Sequence, residues 1–273
     1  MRITQILELY PNLGRHNPNK DLIDSVEVTQ SGNMTLKITL FIVATLIFTI
    51  ILAVSQQKMN LSFEKISLPQ LAPAIAVLLL FLVFRELPAK INLHLDTAIL
   101  IKSLLAGAAP LVLFSITYVV GKQMNLSVKM TEGLVGMLPL MIGGMLIGAL
   151  GEEIGWRSFL QPLMEKRNAV LFSSILVGIV WGLWHIGHYK NGPLYMIGFL
   201  LFTVSASMIV AWLMKGTEYN LIITALFHFS INFCFLAFFR NSMTDSKLML
   251  VNGIVWAIPA IGLVSLAGRD FVR

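Results

Sequence analysis

The sequence predicts an all-helical protein that crosses a membrane about eight times and carries a polar site within the membrane. The chain has 273 residues, of which 56% are hydrophobic and only 12% are charged, whereas soluble domains carry about 25% charged residues. Only helices and closed barrels satisfy their backbone polar groups in lipid. The apolar stretches lack the alternation that is typical of barrel strands, so they favour helices.

Eight stretches contain no charged residue and have roughly the 17–25 residues that a membrane-spanning helix needs. Because proline is poorly tolerated inside a helix, Pro69 and Pro73 shorten the second stretch. The chain is therefore divided into an N-terminal cytoplasmic or interfacial segment, residues 1–33, and a transmembrane helical domain, residues 34–273. The stretches are residues 38–57, 66–84, 103–121, 133–151, 168–189, 191–214, 219–239 and 248–268.

The charged residues of the chain indicate its partners and its orientation in the membrane. No basic cluster with interleaved aromatic residues accompanies the formal net charge of +6, so we expect no nucleic-acid partner. An excess of Lys and Arg in alternate loops favours cytoplasmic termini, and residues 3–10 have the apolar spacing of a short interfacial helix, with a frayed tail as the alternative. The short loops favour an integral protein of a bacterial plasma membrane that contacts lipid, and the oligomeric state stays open.

Three of the apolar stretches carry strongly polar or ionisable side chains. An ionisable group in the membrane core costs at least about 2.5–3.5 kcal/mol by insertion scales, so it marks a functional site. The groups are Glu152, Glu153 and Arg157 at the end of the fourth stretch, His185 in the fifth, and His228 and Asn232 in the seventh.

Glu153 and Arg157 lie four residues apart with the acid first, which is the favourable order for an ion pair on a helix. This spacing predicts a brace between them. Glu152 lies about 100° away around the helix and is then the one acid that faces the histidines and the asparagine of the other stretches. The alternative is that both acids lie at a helix end among lipid headgroups.

The stretches with Glu152 and His185 flank a polar turn at residues 165–168. At 1.5 Å per residue, both side chains lie roughly 22–27 Å from that turn if the two helices are antiparallel. The first helix must then continue through Trp156 and Phe159 toward the turn. The alternative for His185 is an interfacial residue beside aromatic neighbours.

His228 and Asn232 lie four residues apart near the middle of the stretch 219–239. Two polar groups on one face of a membrane helix need partners. They either bond neighbouring helices or complete a site with the polar groups of the other two stretches.

Together these groups resemble the motif set of the CPBP family, which comprises CAAX proteases and bacteriocin-processing enzymes and is also called the Abi family. The resemblance covers residues 130–240 and implies an intramembrane endopeptidase whose substrates are prenylated CAAX-type or other hydrophobic peptides or proteins. The family often has Phe where this chain has Trp181. The motifs are Glu152-Glu153-x-x-x-Arg157, Trp181-x-x-x-His185 and His228-x-x-x-Asn232.

Peptide hydrolysis needs a water nucleophile, a base and donors for the oxyanion. Glu152 suits the base, and His185 suits a group that orients the water or returns its proton. His228 and Asn232 suit the donors to the oxyanion. The resemblance implies the same roles.

We expect no cofactor, with one alternative: a zinc ion held by Glu152, His185 and His228, with a water in the fourth position. Two further functions remain open on the sequence alone. One is a non-catalytic bacteriocin immunity or partner-binding membrane protein. The other is a proton- or ion-coupled transporter, in which the buried polar groups form a path for the ion.

Overall fold

A computed structural model of the chain describes residues 18–85 and 91–272, and it is helical through most of these ranges. A 3₁₀ turn, Leu68–Leu71, precedes the second helix, and another, Ile186–Asn191, follows the sixth. The helices are α1 (Pro18–Lys58), α2 (Ala72–Phe84), α3 (Thr97–Gln123), α4 (Leu134–Gly155), α5 (Gln161–Met164), α6 (Val170–Trp184), α7 (Pro193–Leu213), α8 (Leu221–Phe239), α9 (Ser246–Leu266) and α10 (Arg269–Val272).

Each of the eight predicted stretches overlaps a helix, so the prediction of an all-helical, polytopic membrane protein is confirmed. In the described ranges, α2 and α6 are apolar but shorter than a helix that crosses a membrane. Helix α4 has 22 residues. The apolar spacing at residues 3–10 lies outside the described residues. Five segments are long and apolar enough to cross a membrane, namely Met34–Lys58, Thr97–Gln123, Pro193–Leu213, Leu221–Phe239 and Ser246–Leu266.

Helix α1 runs without a break across the predicted boundary between residues 33 and 34. The chain forms two compact units, Met1–Leu40 and Phe41–Arg273, and the candidate functional residues all belong to the second.

Short polar residues begin three of the long helices. Asp96, Asn220 and Asp245 precede α3, α8 and α9, and each side chain accepts a hydrogen bond from a backbone N–H group in the first turn. Such caps satisfy donors that have no partner inside the helix. The sequence therefore fixes where these helices enter their apolar stretches.

Helices α2 and α6 are several residues shorter than their apolar stretches. Pro73 lies in the first turn of α2, which has only 13 residues, about 20 Å of helix. The fifth stretch was predicted as one span through residue 189, and this is wrong at its C-terminal end. At His185 the backbone leaves the helical region, with φ −73° and ψ 63°, and a 3₁₀ turn replaces the helix.

Aromatic packing around the end of α4 fixes the helices next to the polar groups. Phe41 of α1 contacts Trp156 and Phe159, with ring centroids 5.5 and 5.0 Å apart. The indole N–H of Trp184 donates to the hydroxyl of Thr49 over 2.6 Å. The predicted continuation of the α4 helix through Trp156 and Phe159 is confirmed, because helical backbone reaches Met164.

Candidate active site

The polar groups of α4 and α8 meet in a buried cluster. Glu152 has no exposed surface, and Glu153, Arg157 and His228 are 1–2% exposed. Charged groups are almost never fully buried without partners. The partners of each group therefore indicate what the cluster can do.

Glu152 accepts hydrogen bonds from three neutral N–H donors. Gln70 donates from its amide to Oε1 over 2.8 Å. The indole groups of Trp181 and Trp156 donate to Oε2 over 2.7 and 3.3 Å. Trp156 lies one turn along the same helical segment, whereas the other two donors come from distant parts of the chain. Three elements therefore hold this carboxylate in place.

Glu153 faces two donors that can carry positive charge. Its Oε1 atom accepts from Nη1 of Arg157 over 3.2 Å and from Nδ1 of His228 over 2.7 Å. The predicted brace between Glu153 and Arg157 is therefore present. The Oε2 atom is buried and makes no hydrogen bond to any group in the described ranges.

The expectation that Glu152 alone faces His228 is wrong. Nδ1 of His228 bonds Glu153, while Nε2 lies 3.7 Å from Oε1 of Glu152. One imidazole ring therefore lies between both carboxylates. Glu152 and Glu153 point in different directions from the helix. The imidazole ring of His228 can still contact both carboxylates, because it has a nitrogen on each side.

Trp181 contacts three of the polar groups in the cluster. Its indole N–H bonds Glu152, its ring lies 4.6 Å from the guanidinium carbon of Arg157, and its centroid lies 5.3 Å from that of His228. A guanidinium over an indole face is attracted by the negative face of the ring. Trp181 thus contributes both a hydrogen bond and a cation–π contact.

His185 is half-buried and is placed by the residue one turn before it. Its Nδ1 atom lies 2.8 Å from the carbonyl oxygen of Trp181. A carbonyl oxygen only accepts, so Nδ1 carries the proton, and in the neutral ring Nε2 is then an acceptor. His185 is therefore linked to Glu152 through Trp181, whose carbonyl oxygen contacts the one and whose indole N–H contacts the other. The similar depth of His185 and Glu152 stays a prediction.

Asn232 is half-buried and lies one turn after His228 on α8. Among the described residues, no side chain donates to it or accepts from it. The spacing places it on the His228 face of the helix, next to the cluster but outside its network of hydrogen bonds.

Directly after the two acids the helix widens into a π-helical segment, Trp156–Leu160. The backbone N–H of Gln161 donates to the carbonyl of Trp156, five residues back. Such segments are rare and occur frequently at functional sites. Here the segment begins with Trp156, which donates to Glu152, and Arg157, which donates to Glu153.

The residues that could hold a zinc ion do not fit one as they are arranged. Within the described ranges, no group of three or more His, Cys, Asp or Glu side chains has the arrangement of a metal site. Both oxygens of Glu152 face N–H donors, and Nδ1 of His228 faces Glu153. Zinc ligands need lone pairs directed at one point, and both oxygens of Glu152 are directed at these N–H donors.

None of the three donors to Glu152 was predicted as a site residue, and Trp181 entered the prediction only as the aromatic residue of its motif. Trp156 entered the prediction only as part of the helix, and Gln70 was not singled out. One signal was available for Gln70: it is a strongly polar residue inside the apolar stretch 66–84, between two prolines. The sequence offered no means of pairing it with a carboxylate 82 positions away.

A comparison with protein families gives the cluster its context. Residues 134–234 match the family model described as Type II CAAX prenyl endopeptidase Rce1-like. These residues are Rce1-like. The resemblance inferred from the motifs is thereby confirmed, and the Rce1-like segment holds all six predicted site residues. It does not include Gln70.

Two bacterial relatives extend the similarity beyond the Rce1-like segment. Lysostaphin resistance protein A of Staphylococcus haemolyticus (strain JCSC1435) is 27% identical over 252 residues, which cover 87% of this chain and 66% of that protein. Lysostaphin resistance protein A of Staphylococcus aureus (strain MRSA252) is 27% identical over 244 residues, 84% of this chain and 56% of that protein. The chain thus spans 66% and 56% of these relatives' lengths. With its apolar helices, it is an integral membrane protein of the bacterial plasma membrane.

Proposed function

We propose that this protein is an intramembrane endopeptidase that hydrolyses peptide bonds of prenylated CAAX-type or other hydrophobic peptides with a water activated by Glu152. The observation that carries the proposal is the position of His228 between two buried carboxylates inside the Rce1-like segment. This arrangement supplies a base and an oxyanion donor side by side.

In the proposed reaction, Glu152 accepts a proton from water as the water oxygen attacks the peptide carbonyl carbon. The carbonyl π bond breaks, and its electron pair forms the oxyanion of the tetrahedral intermediate. When that intermediate collapses, the C–N bond breaks and the departing amine takes a proton. Glu152 returns the proton that it accepted, so the carboxylate is regenerated.

His228 is the proposed donor to the oxyanion. With Nδ1–H bonded to Glu153, Nε2 donates a hydrogen bond only when the ring is an imidazolium. Two buried carboxylates and the single guanidinium of Arg157 leave one negative charge, which an imidazolium balances. Asn232, one turn along α8, provides a neutral second donor. Removing one such donor typically costs about 2.7–4 kcal/mol in the transition state.

His185 is the proposed group that orients the attacking water. Because its Nδ1–H is committed to the carbonyl of Trp181, its Nε2 lone pair can accept the second hydrogen of a water held by Glu152. The base and the orienting group then hold the same water from two sides.

The decisive assay compares the wild type with Glu152→Gln, a substitution that keeps the side-chain volume. Purified protein in detergent micelles is given a prenylated peptide that ends in a C-a-a-X sequence, and release of its C-terminal fragment is followed. We expect the variant to lose about 10³-fold in kcat, since positioned general bases contribute about 10²–10⁴-fold. The same peptide without its prenyl group measures the contribution of the lipid.

Dialysis against a chelator tests the metal-free form of the reaction. We expect activity to persist after chelation, because both oxygens of Glu152 already accept hydrogen bonds from N–H donors. Loss of activity that added zinc restores would reject the metal-free mechanism while keeping the endopeptidase.

The relatives are named for lysostaphin resistance, and the alternative function is a resistance protein. We take its non-catalytic form, which binds a partner without hydrolysis, as the competing hypothesis. That function predicts that Glu152→Gln supports the same cellular phenotype as the wild type while the protein stays folded and inserted. Full function of this variant would reject the endopeptidase.

A further inference from the structure

We infer that Gln70, which lies outside the Rce1-like segment, is a positioning residue for the proposed base Glu152. This inference rests on the proposed function. Gln70 lies at the end of the 59–71 segment, which connects α1 to α2 and lies against α4. The segment thereby supplies part of the catalytic apparatus from the N-terminal half of the chain.

Gln70 is the one donor that bonds Oε1 of Glu152, the oxygen nearest to His228 in the described structure. Its amide nitrogen lies 2.8 Å from Oε1, and Nε2 of His228 lies 3.7 Å from the same atom. The two indole donors both bond the other oxygen. Without Gln70, the carboxylate keeps its Oε2 anchors but can rotate about them, so the oxygen beside His228 loses its fixed position.

Gln56 of α1 holds the 59–71 segment in place. Its buried side chain donates to the carbonyl oxygens of Leu61 and Ile66 over 3.2 and 2.8 Å, and its Oε1 atom accepts from the backbone N–H of Leu68 over 2.7 Å. One side chain thus binds the segment at three points before it reaches Gln70. The donor therefore approaches Glu152 from a fixed backbone.

Glycines on α4 allow the segment to lie directly on the helix. A Cβ atom at position 144 would be 2.8 Å from the carbonyl carbon of Lys65, and one at position 148 would be 2.8 Å from the side-chain carbonyl carbon of Gln70. Contacts that short do not occur for real Cβ atoms. The absence of a side chain at Gly148 therefore gives the Gln70 amide the space beside Glu152.

The nature of the clash at Gly148 provides a clean experiment. The conflicting atoms belong to the end of a flexible side chain, so Gly148→Ala can be accommodated by moving the amide of Gln70. On the same helix, a Cβ atom at Gly143 meets nothing within 4 Å. Gly143→Ala is therefore a matched control with the same change in composition and helix propensity.

The experiment measures kcat and KM for the wild type, Gln70→Met, Gly148→Ala and Gly143→Ala with the prenylated peptide. We expect Gln70→Met and Gly148→Ala each to lower kcat about 10- to 100-fold and to leave KM within about twofold of the wild-type value. A catalytic group displaced by about 1 Å can lower the rate about 10²-fold. Gly143→Ala is expected to match the wild type. Elution as a monodisperse species confirms that each variant is folded.

A double-mutant comparison shows whether Gln70 acts through Glu152. In Glu152→Asp the carboxylate is one methylene shorter and no longer reaches Gln70. Adding Gln70→Met to Glu152→Asp is expected to change kcat less than threefold, because contacting residues couple and independent ones do not. A loss in that background as large as in the wild type would show that Gln70 acts by another route and would overturn the inference.

The outcomes separate the two proposals. An active wild type that needs Glu152 but tolerates both Gln70→Met and Gly148→Ala overturns the positioning role and leaves the endopeptidase intact. If the folded wild type hydrolyses no peptide, the endopeptidase fails and the positioning role fails with it. Equal losses in Gly148→Ala and Gly143→Ala would assign the effect to the helix and would also overturn the inference.

Discussion

Two Glu–Arg pairs of this protein differ in geometry and in environment. Glu64 and Arg240 form a bidentate ion pair with N···O distances of 2.8 and 2.7 Å, and their side chains are 43% and 34% exposed. Glu153 and Arg157 meet through one contact of 3.2 Å and are both 2% exposed. The better geometry therefore belongs to the more exposed pair.

This difference teaches that burial, and not hydrogen-bond geometry, decides which pair the fold depends on. Water screens an exposed pair and solvates either partner when the other is lost. A buried pair has no such replacement, so losing one partner leaves an uncompensated charge. The hydrogen bonds that Arg240 donates to Glu64 raise the pKa of Arg240, but this shift does not measure how much the pair stabilises the fold.

The largest expected effect is at the buried pair. Arg157→Met should lower the free energy of unfolding by about 3–5 kcal/mol, because Glu153 then keeps its charge with only His228 as partner. Reversible unfolding of the purified protein in detergent micelles measures the change.

The control for this prediction removes the second charge as well. Adding Glu153→Gln to Arg157→Met should recover about half of the lost stability, since the negative charge of Glu153 that lost its arginine partner is then absent. A loss below about 1 kcal/mol in the single variant would contradict the interpretation that burial makes this pair important.

An intermediate effect is expected at Trp181. Trp181→Phe removes the N–H donor to Glu152 but keeps an aromatic ring beside Arg157, so the buried ion pair persists. Hydrogen bonds to charged groups contribute about 1.5–3 kcal/mol, and we expect a loss in that range with hydrolysis reduced about tenfold. Unfolding and kcat are measured on the same preparation.

Trp156→Phe is the comparison for this variant. Its bond to the same oxygen is longer, 3.3 against 2.7 Å, so its loss should be the smaller of the two. The reverse order would show that ring packing outweighs the hydrogen bonds to Glu152.

The smallest effect is expected at the exposed pair. Glu64→Gln should change the Tm by no more than about 2 °C, and 0.5 M NaCl should remove the difference, because salt screens exposed charges within a few ångströms. Thermal unfolding at two salt concentrations measures both quantities. A large decrease in Tm that salt does not alter would show that the fold depends on this exposed pair as it does on the buried pair.

Much of the fold could be predicted because lipid leaves the backbone few choices. Apolar stretches bounded by charges predicted the helices. The end of α6 was missed because the stretch contains no Asp, Glu, Lys or Arg before residue 190, and the bend at His185 comes from local backbone conformation. The cytoplasmic position of the termini stays a prediction.

The sequence by itself determined which chemical groups lie in the membrane and the order in which they follow one another. Spacing of four residues placed Arg157 on Glu153, since a helix brings such positions together. The tertiary structure decided what else each acid meets. His228 reaches both carboxylates because an imidazole has two nitrogens, and Gln70 reaches Glu152 because Gly148 leaves it space. Contacts between segments far apart in the chain depend on packing, which no local pattern contains.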